Sequence, residues 1–192
     1  LECSAVQTGV SAASIAVRHM NFGNSSDVVY IGYIKNNNAY VSCSPCYTEI
    51  SRHTWADTGF TEDASEIALA FDGTMPRDVH GNYEFITKNA PWVFWVSDGA
   101  VYGQILGQPS KVTLAESNVT KVSAVRAMWS DVPGFDFGLV LFMVINGAIH
   151  FRQLIDGVWS DAEPVPTSAL PSGKTWTQIS AQRTWDYRVD LQ

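Results

Sequence analysis

Charged residues are scarce in this sequence. Only 16% of the 192 residues are Asp, Glu, Lys or Arg, against roughly 25% in an average soluble protein. The hydrophobic fraction is 46%, which excludes a disordered chain because disorder combines low hydrophobicity with high charge. The 12 Lys and Arg are outnumbered by 19 Asp and Glu, so the formal net charge is −7. Nucleic-acid binding uses a basic surface, so we expect no nucleic-acid partner.

Long apolar runs, cysteines and metal-binding patterns are also lacking. The strongest apolar run, Gly138–Ile145, has the length of a strand and predicts no membrane span. Three cysteines are too few, and odd in number, for a disulfide framework. Cys43 and Cys46 form a lone C-x-x-C, which we interpret as two thiols near a strand end. The four histidines are scattered, so we predict no metal site and no cofactor.

What the sequence does contain is an internal repeat. Four short segments share a central alanine and recur at intervals of 52 to 57 residues, centred on Ala16, Ala68, Ala124 and Ala181. Three of these segments carry an arginine at one shared repeat position: Arg18, Arg126 and Arg183. We interpret these arginines as structural, forming hydrogen bonds or ion pairs between neighbouring repeats.

Each of the first three repeats continues with a long apolar strand, a turn and a second strand. The turns are Asn36-Asn37-Asn38, Asp98-Gly99 and Asn146-Gly147. Asn-Gly and Asp-Gly are favoured in type I′ hairpins, where both central residues need positive φ. The long strands are apolar at consecutive positions, which indicates burial on both faces. Four antiparallel strands in about 50 residues are typical of a β-propeller blade.

The predicted fold is therefore all-β: a β-propeller, or a propeller segment, of four-stranded antiparallel blades. The blades lie near 14–65, 66–121 and 122–178, with a partial blade at 179–192, in one domain over 1–192. Closed propellers typically need four or more blades, and an open one leaves unpaired edge strands. We therefore expect the chain to belong to a longer polypeptide or to assemble with other chains.

Exposed aromatic residues are the candidate ligand-binding groups, because sugars stack on them. Tryptophans recur near predicted strand ends, and one tyrosine lies in an insertion at 73–91 of the second repeat. The candidates are Trp55, Trp129, Trp159, Trp185 and Tyr83. The competing interpretation is that the tryptophans are core plugs between blades, since an indole ring buries a large area.

No catalytic residue is predicted, and we expect the protein not to be an enzyme. The sequence has no nucleophile elbow, phosphate-binding loop, zinc-protease motif or calcium loop. A glycosidase would need two carboxylates facing one cleft. Candidate carboxylates exist, but acidic residues in surface turns explain them as well: Asp72, Asp78, Glu84, Asp131 and Asp136.

Two C-terminal stretches carry a resemblance to a known group of proteins. Gly173-Lys174-Thr175-Trp176 and residues 183–189 look like segments of bacteriophage tail-associated and other virion structural proteins. The resemblance implies a virion or extracellular location and a role in assembly or in contact with the host cell envelope. Partners would be other virion proteins or copies of the same chain.

Three hypotheses of function follow. The first is a non-enzymatic virion structural or host-recognition module of a bacteriophage tail, acting as a rigid docking scaffold. The second is a lectin-like propeller that binds a cell-surface glycan. The third, and the weakest, is a glycosidase.

Overall fold

The computed structural model describes residues 9–18, 28–45, 56–72, 90–127, 138–155, 157–166, 173–183 and 189–191. Regular secondary structure in these ranges is entirely β-strand, which confirms the all-β prediction. Within the same ranges, no helix is long and apolar enough to cross a membrane.

Three antiparallel sheets follow one another along the chain, each built on four strands in sequence order, and the third has a fifth strand. Sheet 1 contains β1 (Ala12–Arg18), β2 (Val28–Lys35), β3 (Asn38–Pro45) and β4 (Ala56–Asp63). Sheet 2 contains β5 (Glu66–Ala70), β6 (Trp92–Ser97), β7 (Ala100–Ile105) and β8 (Lys111–Ala115). The predicted four-stranded antiparallel unit is thus confirmed.

Sheet 3 contains β9 (Val119–Ala127), β10 (Gly138–Ile145), β11 (Ala148–Ile155) and β12 (Val158–Trp159). A short strand, β13 (Glu163–Pro164), also pairs with β11. Two further strands, β14 (Ala181–Arg183) and β15 (Val189–Leu191), pair as sheet 4. The described residues form no closed ring of sheets, so the propeller itself stays a prediction.

Hairpin turns lie between the second and third strands of each sheet at the three predicted places, although the first has two residues, because Asn38 begins β3. Asn36, Asn37, Asp98 and Asn146 all have positive φ, between 49° and 60°. The second residue of the other two turns is glycine, with φ of 76° at both Gly99 and Gly147. These are the dihedrals that a type I′ turn requires.

Each hairpin turn is bonded to the connection that leads into the next sheet. The carbonyl of the second turn residue accepts a backbone hydrogen bond of 2.8–2.9 Å in all three repeats: Asn37 from Ala64, Gly99 from Val119, and Gly147 from Trp176. The third contact shows that the segment around Trp176 is the connection between sheets 3 and 4.

The sheets stack face to face, with alternate side chains directed to opposite neighbours. On β5, Ile67 and Leu69 join the core cluster shared with sheet 1, whereas Ala68 and Ala70 join the cluster shared with sheet 3. The same alternation continues on β6 and β10. The central strands are therefore buried on both faces, which explains why their sequences are apolar at consecutive positions.

The first strands of the sheets contact one another in the order β1, β5, β9 and β14. Two serine hydroxyls bond across this row: Ser14 Oγ accepts from Leu69 N (3.0 Å), and Ser123 Oγ accepts from Ala181 N (2.9 Å). Ser14 and Ser123 occupy the same position when sheets are aligned on their hairpin turns. Ala68 has that position in sheet 2 and packs its methyl group in the core instead.

The sequence repeat aligns Arg18 with Arg126, but the strand pairing places them at different positions in their sheets. Arg18 pairs with Val28, and Arg126 pairs with Leu139. When the sheets are aligned on their turns, these two arginines stand one position apart, and a one-residue offset exchanges the two faces of a strand. Arg183 lies on β14, paired with Val189. The role of the arginines between repeats stays a prediction.

Gly32 on β2 allows sheets 1 and 2 to approach closely, and its replacement tests the stacking. A Cβ atom at this position would lie 2.8 Å from Ile67 Cδ1 and 3.1 Å from Leu69 Cγ. We expect Gly32→Ala to lower the free energy of unfolding by about 1–3 kcal/mol through overpacking. Equilibrium denaturation in guanidinium chloride measures the loss.

The matched control is Gly138→Ala, which has the same effect on the unfolded chain. Its nearest contact would be Leu154 O at an ordinary 3.5 Å. We expect it to be near neutral. Equal losses in both variants would contradict the close approach at Gly32.

Candidate binding cleft

Most of the predicted ligand-binding residues lie outside the described residues: Trp55, Trp129, Trp185 and Tyr83. The same is true of most candidate carboxylates: Asp78, Glu84, Asp131 and Asp136. Of the predicted aromatic residues, the structure describes Trp159. Of the carboxylates, it describes Asp72, which follows β5 and is partly buried.

Trp159 lies on β12 and is half-buried between sheets 2 and 3. Its ring meets Trp92 edge-on, with centroids 5.5 Å apart, and Phe94 edge-on at 5.7 Å. The indole therefore packs on the core shared by the two sheets. A ligand-binding role for this residue stays a prediction.

Arg152 on β11 bridges the same gap between sheets 2 and 3. Its Nη1 donates to Leu114 O across the gap at 2.7 Å, and its Nε donates to Ser160 O within its own sheet. We call the contact between sheets 1 and 2 the first interface and that between sheets 2 and 3 the second interface. Together with Trp159, the Arg152 side chain fills the outer part of the second interface.

Gln104 on β7 occupies the position of Arg152 when the sheets are aligned on their turns. Its amide nitrogen donates to the Gln108 carbonyl, in the turn that follows the same strand. The side chain is thus tied to its own sheet, whereas Arg152 crosses to the neighbouring one. A cleft of about 350 Å³ lies beside it, between sheets 1 and 2.

One wall of the cleft is an irregular part of the edge strand β4. Tyr40 pairs with Thr61, but Ser42, two residues further along β3, pairs with Asp57. The strand β4 therefore bulges between these pairs, and Gly59 within the bulge has a φ of 77°. Bulges are frequent beside binding sites, because they redirect side chains and interrupt strand pairing.

Three hydrogen bonds hold the bulge in shape, the longest of them from Phe60 N to Thr58 Oγ1 at 3.4 Å. Asp57 Oδ1 accepts from Gly59 N at 2.9 Å, as in an Asx turn. Thr58 Oγ1 donates to Val41 O at 2.7 Å. The second bond replaces part of the ladder that the bulge interrupts.

The opposite wall is the turn between β7 and β8. Gly107 in this turn has a φ of 80°, and a Cβ atom there would meet nothing within 4 Å. Leu106 N donates to Pro91 O at 2.9 Å, which anchors the turn to the start of β6. Both walls therefore place a glycine with positive φ beside open space.

Aromatic residues lie behind the cleft, and an ion pair lies beside it. Phe60 is buried, with its ring edge-on to Trp95 at 5.4 Å. Glu62, which lines the cleft, pairs with Lys111 at 3.7 Å. The Lys111 ammonium also lies 5.0 Å from the Tyr102 ring centroid. Because this ion pair is partly exposed, its contribution to stability is small.

The lining is suited to hydrogen bonding rather than to acid–base chemistry. It offers the Thr58 hydroxyl, glutamine amides and a single carboxylate, Glu62. No group of three His, Cys, Asp or Glu in the described parts of the chain could hold a metal ion. The cleft is therefore a candidate binding site.

Sequence reasoning missed this cleft because its walls come from separate repeats. The bulge has no strong sequence pattern, and Gln104 is unremarkable alone. The available signal was the difference between Gln104 and Arg152 at matching distances after their hairpin turns.

No family model matches the chain, and no curated protein matches its sequence. The repeat architecture and the cleft are therefore the basis for a functional proposal.

The bridging role of Arg152 is tested by Arg152→Gln, which installs the residue found at the first interface. Each hydrogen bond from a charged donor contributes about 1.5–3 kcal/mol, so the loss of two should lower the free energy of unfolding by about 3 kcal/mol or more. Thermal and denaturant unfolding measure the change. Lys174→Gln, which removes a positive charge from an exposed position, is the control. An equal loss in the control would assign the effect to net charge.

The thiol of Cys43 on β3 should react slowly. Burial raises its pKa above the ordinary value, and this outweighs a backbone hydrogen bond that lowers it. Because the thiolate is the nucleophile, less of the reactive form is present at any given pH. We expect iodoacetamide at about pH 8 to alkylate Cys43 more slowly in the folded protein than in denaturant. Peptide mapping by mass spectrometry separates it from Cys3 and Cys46, and equal rates would contradict the expectation.

Proposed function

We propose that this chain is a non-enzymatic β-propeller module whose stacked sheets are blades. It acts as a rigid docking scaffold for neighbouring protein chains, including copies of itself, in a virion such as a bacteriophage tail.

The order of the sheets supports the propeller. In a β-propeller, four-stranded sheets are arranged around a central channel. The row of contacts β1, β5, β9 and β14 fits the inner strands of successive blades. The outer strands β4 and β8 fit the rim.

The observation that carries the docking role is the unequal burial of two equivalent residues. Ile15 on β1 and Leu69 on β5 have the same position relative to their hairpin turns. Leu69 is 3% exposed beneath sheet 1, whereas Ile15 is 63% exposed. Further out on the same face of sheet 1, Tyr33 and Ser42 are buried. The exposed apolar side chain is thus on the inner strand, and we place the docking of a further chain there.

The virion setting rests on the resemblance of residues 173–176 and 183–189 to tail-associated proteins. The first of these stretches is the connection bonded to the turn of sheet 3 through Trp176 N and Gly147 O. It is therefore integral to the repeat, and a shared repeat would explain the resemblance.

Light scattering coupled to size-exclusion chromatography tests the docking role. We expect the 21.1 kDa chain to form larger assemblies as its concentration rises. Ile15→Glu should shift these assemblies toward the monomer, because it places a charge on the docking surface. Val158→Glu, at a position that is 70% exposed on sheet 3, is the matched control. A monomer at every concentration, unchanged by Ile15→Glu, would contradict the proposal.

A further inference from the structure

We propose that the cleft between β4 and the β7–β8 turn binds a neutral saccharide of one or two sugar rings. The proposal needs neither a virion setting nor assembly, and it places ligand recognition at residues other than the predicted aromatic ones.

The cleft lies at the interface between sheets 1 and 2, where Gln104 stands in place of the arginine that bridges sheets 2 and 3. At the second interface, Arg152 reaches Leu114 O in the adjacent sheet, and Trp159 packs beside it. At the first interface, the equivalent Gln104 bonds to Gln108 O within its own sheet. The difference between repeats therefore creates a specific space at one rim position.

The size of the space fits a small ligand. Ligand sites typically measure about 300–1,000 Å³, and the cleft, at about 350 Å³, is at the lower end of that range. One or two sugar rings are of suitable size, and a longer oligosaccharide would extend into solvent.

The chemistry of the lining matches that of a sugar. Glutamine amides, a carboxylate and the Thr58 hydroxyl offer donors and acceptors to a ligand that carries hydroxyl groups in several directions. Glu62 can accept charge-assisted hydrogen bonds from a pair of adjacent hydroxyls. Leu106 and Pro109 supply a narrow apolar strip for the C–H face of a ring.

The polar groups are held in place before a ligand arrives. Thr58 is fixed by its bond to Val41 O, and the Gln104 amide is fixed by its bond to Gln108 O. Gln104 retains its Oε1 as an acceptor. Pre-organised groups lose less conformational entropy on binding.

Charge and strand geometry disfavour two other ligand classes. An anionic ligand would meet the Glu62 carboxylate, whose neighbouring cation Lys111 is already paired with it. An extended peptide would need a regular edge strand to pair with, and the bulge around Gly59 interrupts β4 at this point. With anions and extended peptides disfavoured, the cleft best suits a neutral, compact ligand that is rich in hydroxyl groups.

Chemical-shift mapping by NMR on the isotope-labelled chain tests the site. The probes are methyl glycosides of glucose, galactose, mannose and N-acetylglucosamine, with lactose, maltose and cellobiose, and with sialyllactose as an anionic comparison. We expect at least one neutral probe to shift the amides of Gly59 and Gly107 in a saturable way at millimolar concentration.

Two variants locate the binding. Gln104→Arg installs the residue that closes the second interface, and should weaken binding by about tenfold or more by filling the cleft. Glu62→Gln retains the shape and should also weaken binding about tenfold by removing a charged acceptor. Gln178→Arg makes the same exchange at an exposed position outside the cleft, and should bind as the unmodified protein does.

Three outcomes would overturn the proposal. The first is that no neutral probe shifts the cleft amides. The second is that sialyllactose alone does so. The third is that a neutral probe binds, but equally well to folded Gln104→Arg and Glu62→Gln. The titrations are recorded at a concentration where light scattering shows the monomer, so the docking role stands or fails separately.

Discussion

The burial of central strands on both faces is the constraint on which this structure depends. Each such strand sends alternate side chains to two neighbouring sheets, as Trp95 and Phe94 do on β6. A one-residue shift in strand register would turn each side chain to the opposite face, and would disrupt the packing of both interfaces at once. Packing therefore already restricts the strand register. The hairpin turns and the hydrogen bonds accepted by Ser14 Oγ and Ser123 Oγ stabilise that register further.

Local patterns made the strand order predictable. The Asp98-Gly99 and Asn146-Gly147 turns need only two residues to specify a hairpin, and consecutive apolar positions need no partner to indicate two-faced burial. The sheets accordingly fall close to the predicted repeats, although β1 begins at Ala12 rather than 14 and β9 begins at Val119 rather than 122. The one-residue offset between Arg18 and Arg126 could not be predicted from the sequence. The first strands consist largely of small residues, which align equally well when shifted by one position.

The candidate site was less predictable than the fold, for a physical reason. Tryptophan content indicates large rings but not whether a neighbour covers them, and Trp159 packs on Trp92 and Phe94. The cleft instead arises from a polar residue that is shorter than its counterpart, and from a bulge that depends on pairing with β3. Neither property belongs to a single segment. Both require the register and the identity of the neighbouring sheet.

The bonds between hairpin turns and inter-sheet connections make each turn part of the packing between sheets. At the turn end, Gly99 and Gly147 lie so close to the adjoining connection that a Cβ atom would be 3.2 Å and 2.5 Å from it. Few insertions can be accommodated there. A change of length in a turn would therefore move the carbonyl that holds the next sheet in place, so the hairpin also sets the spacing between sheets.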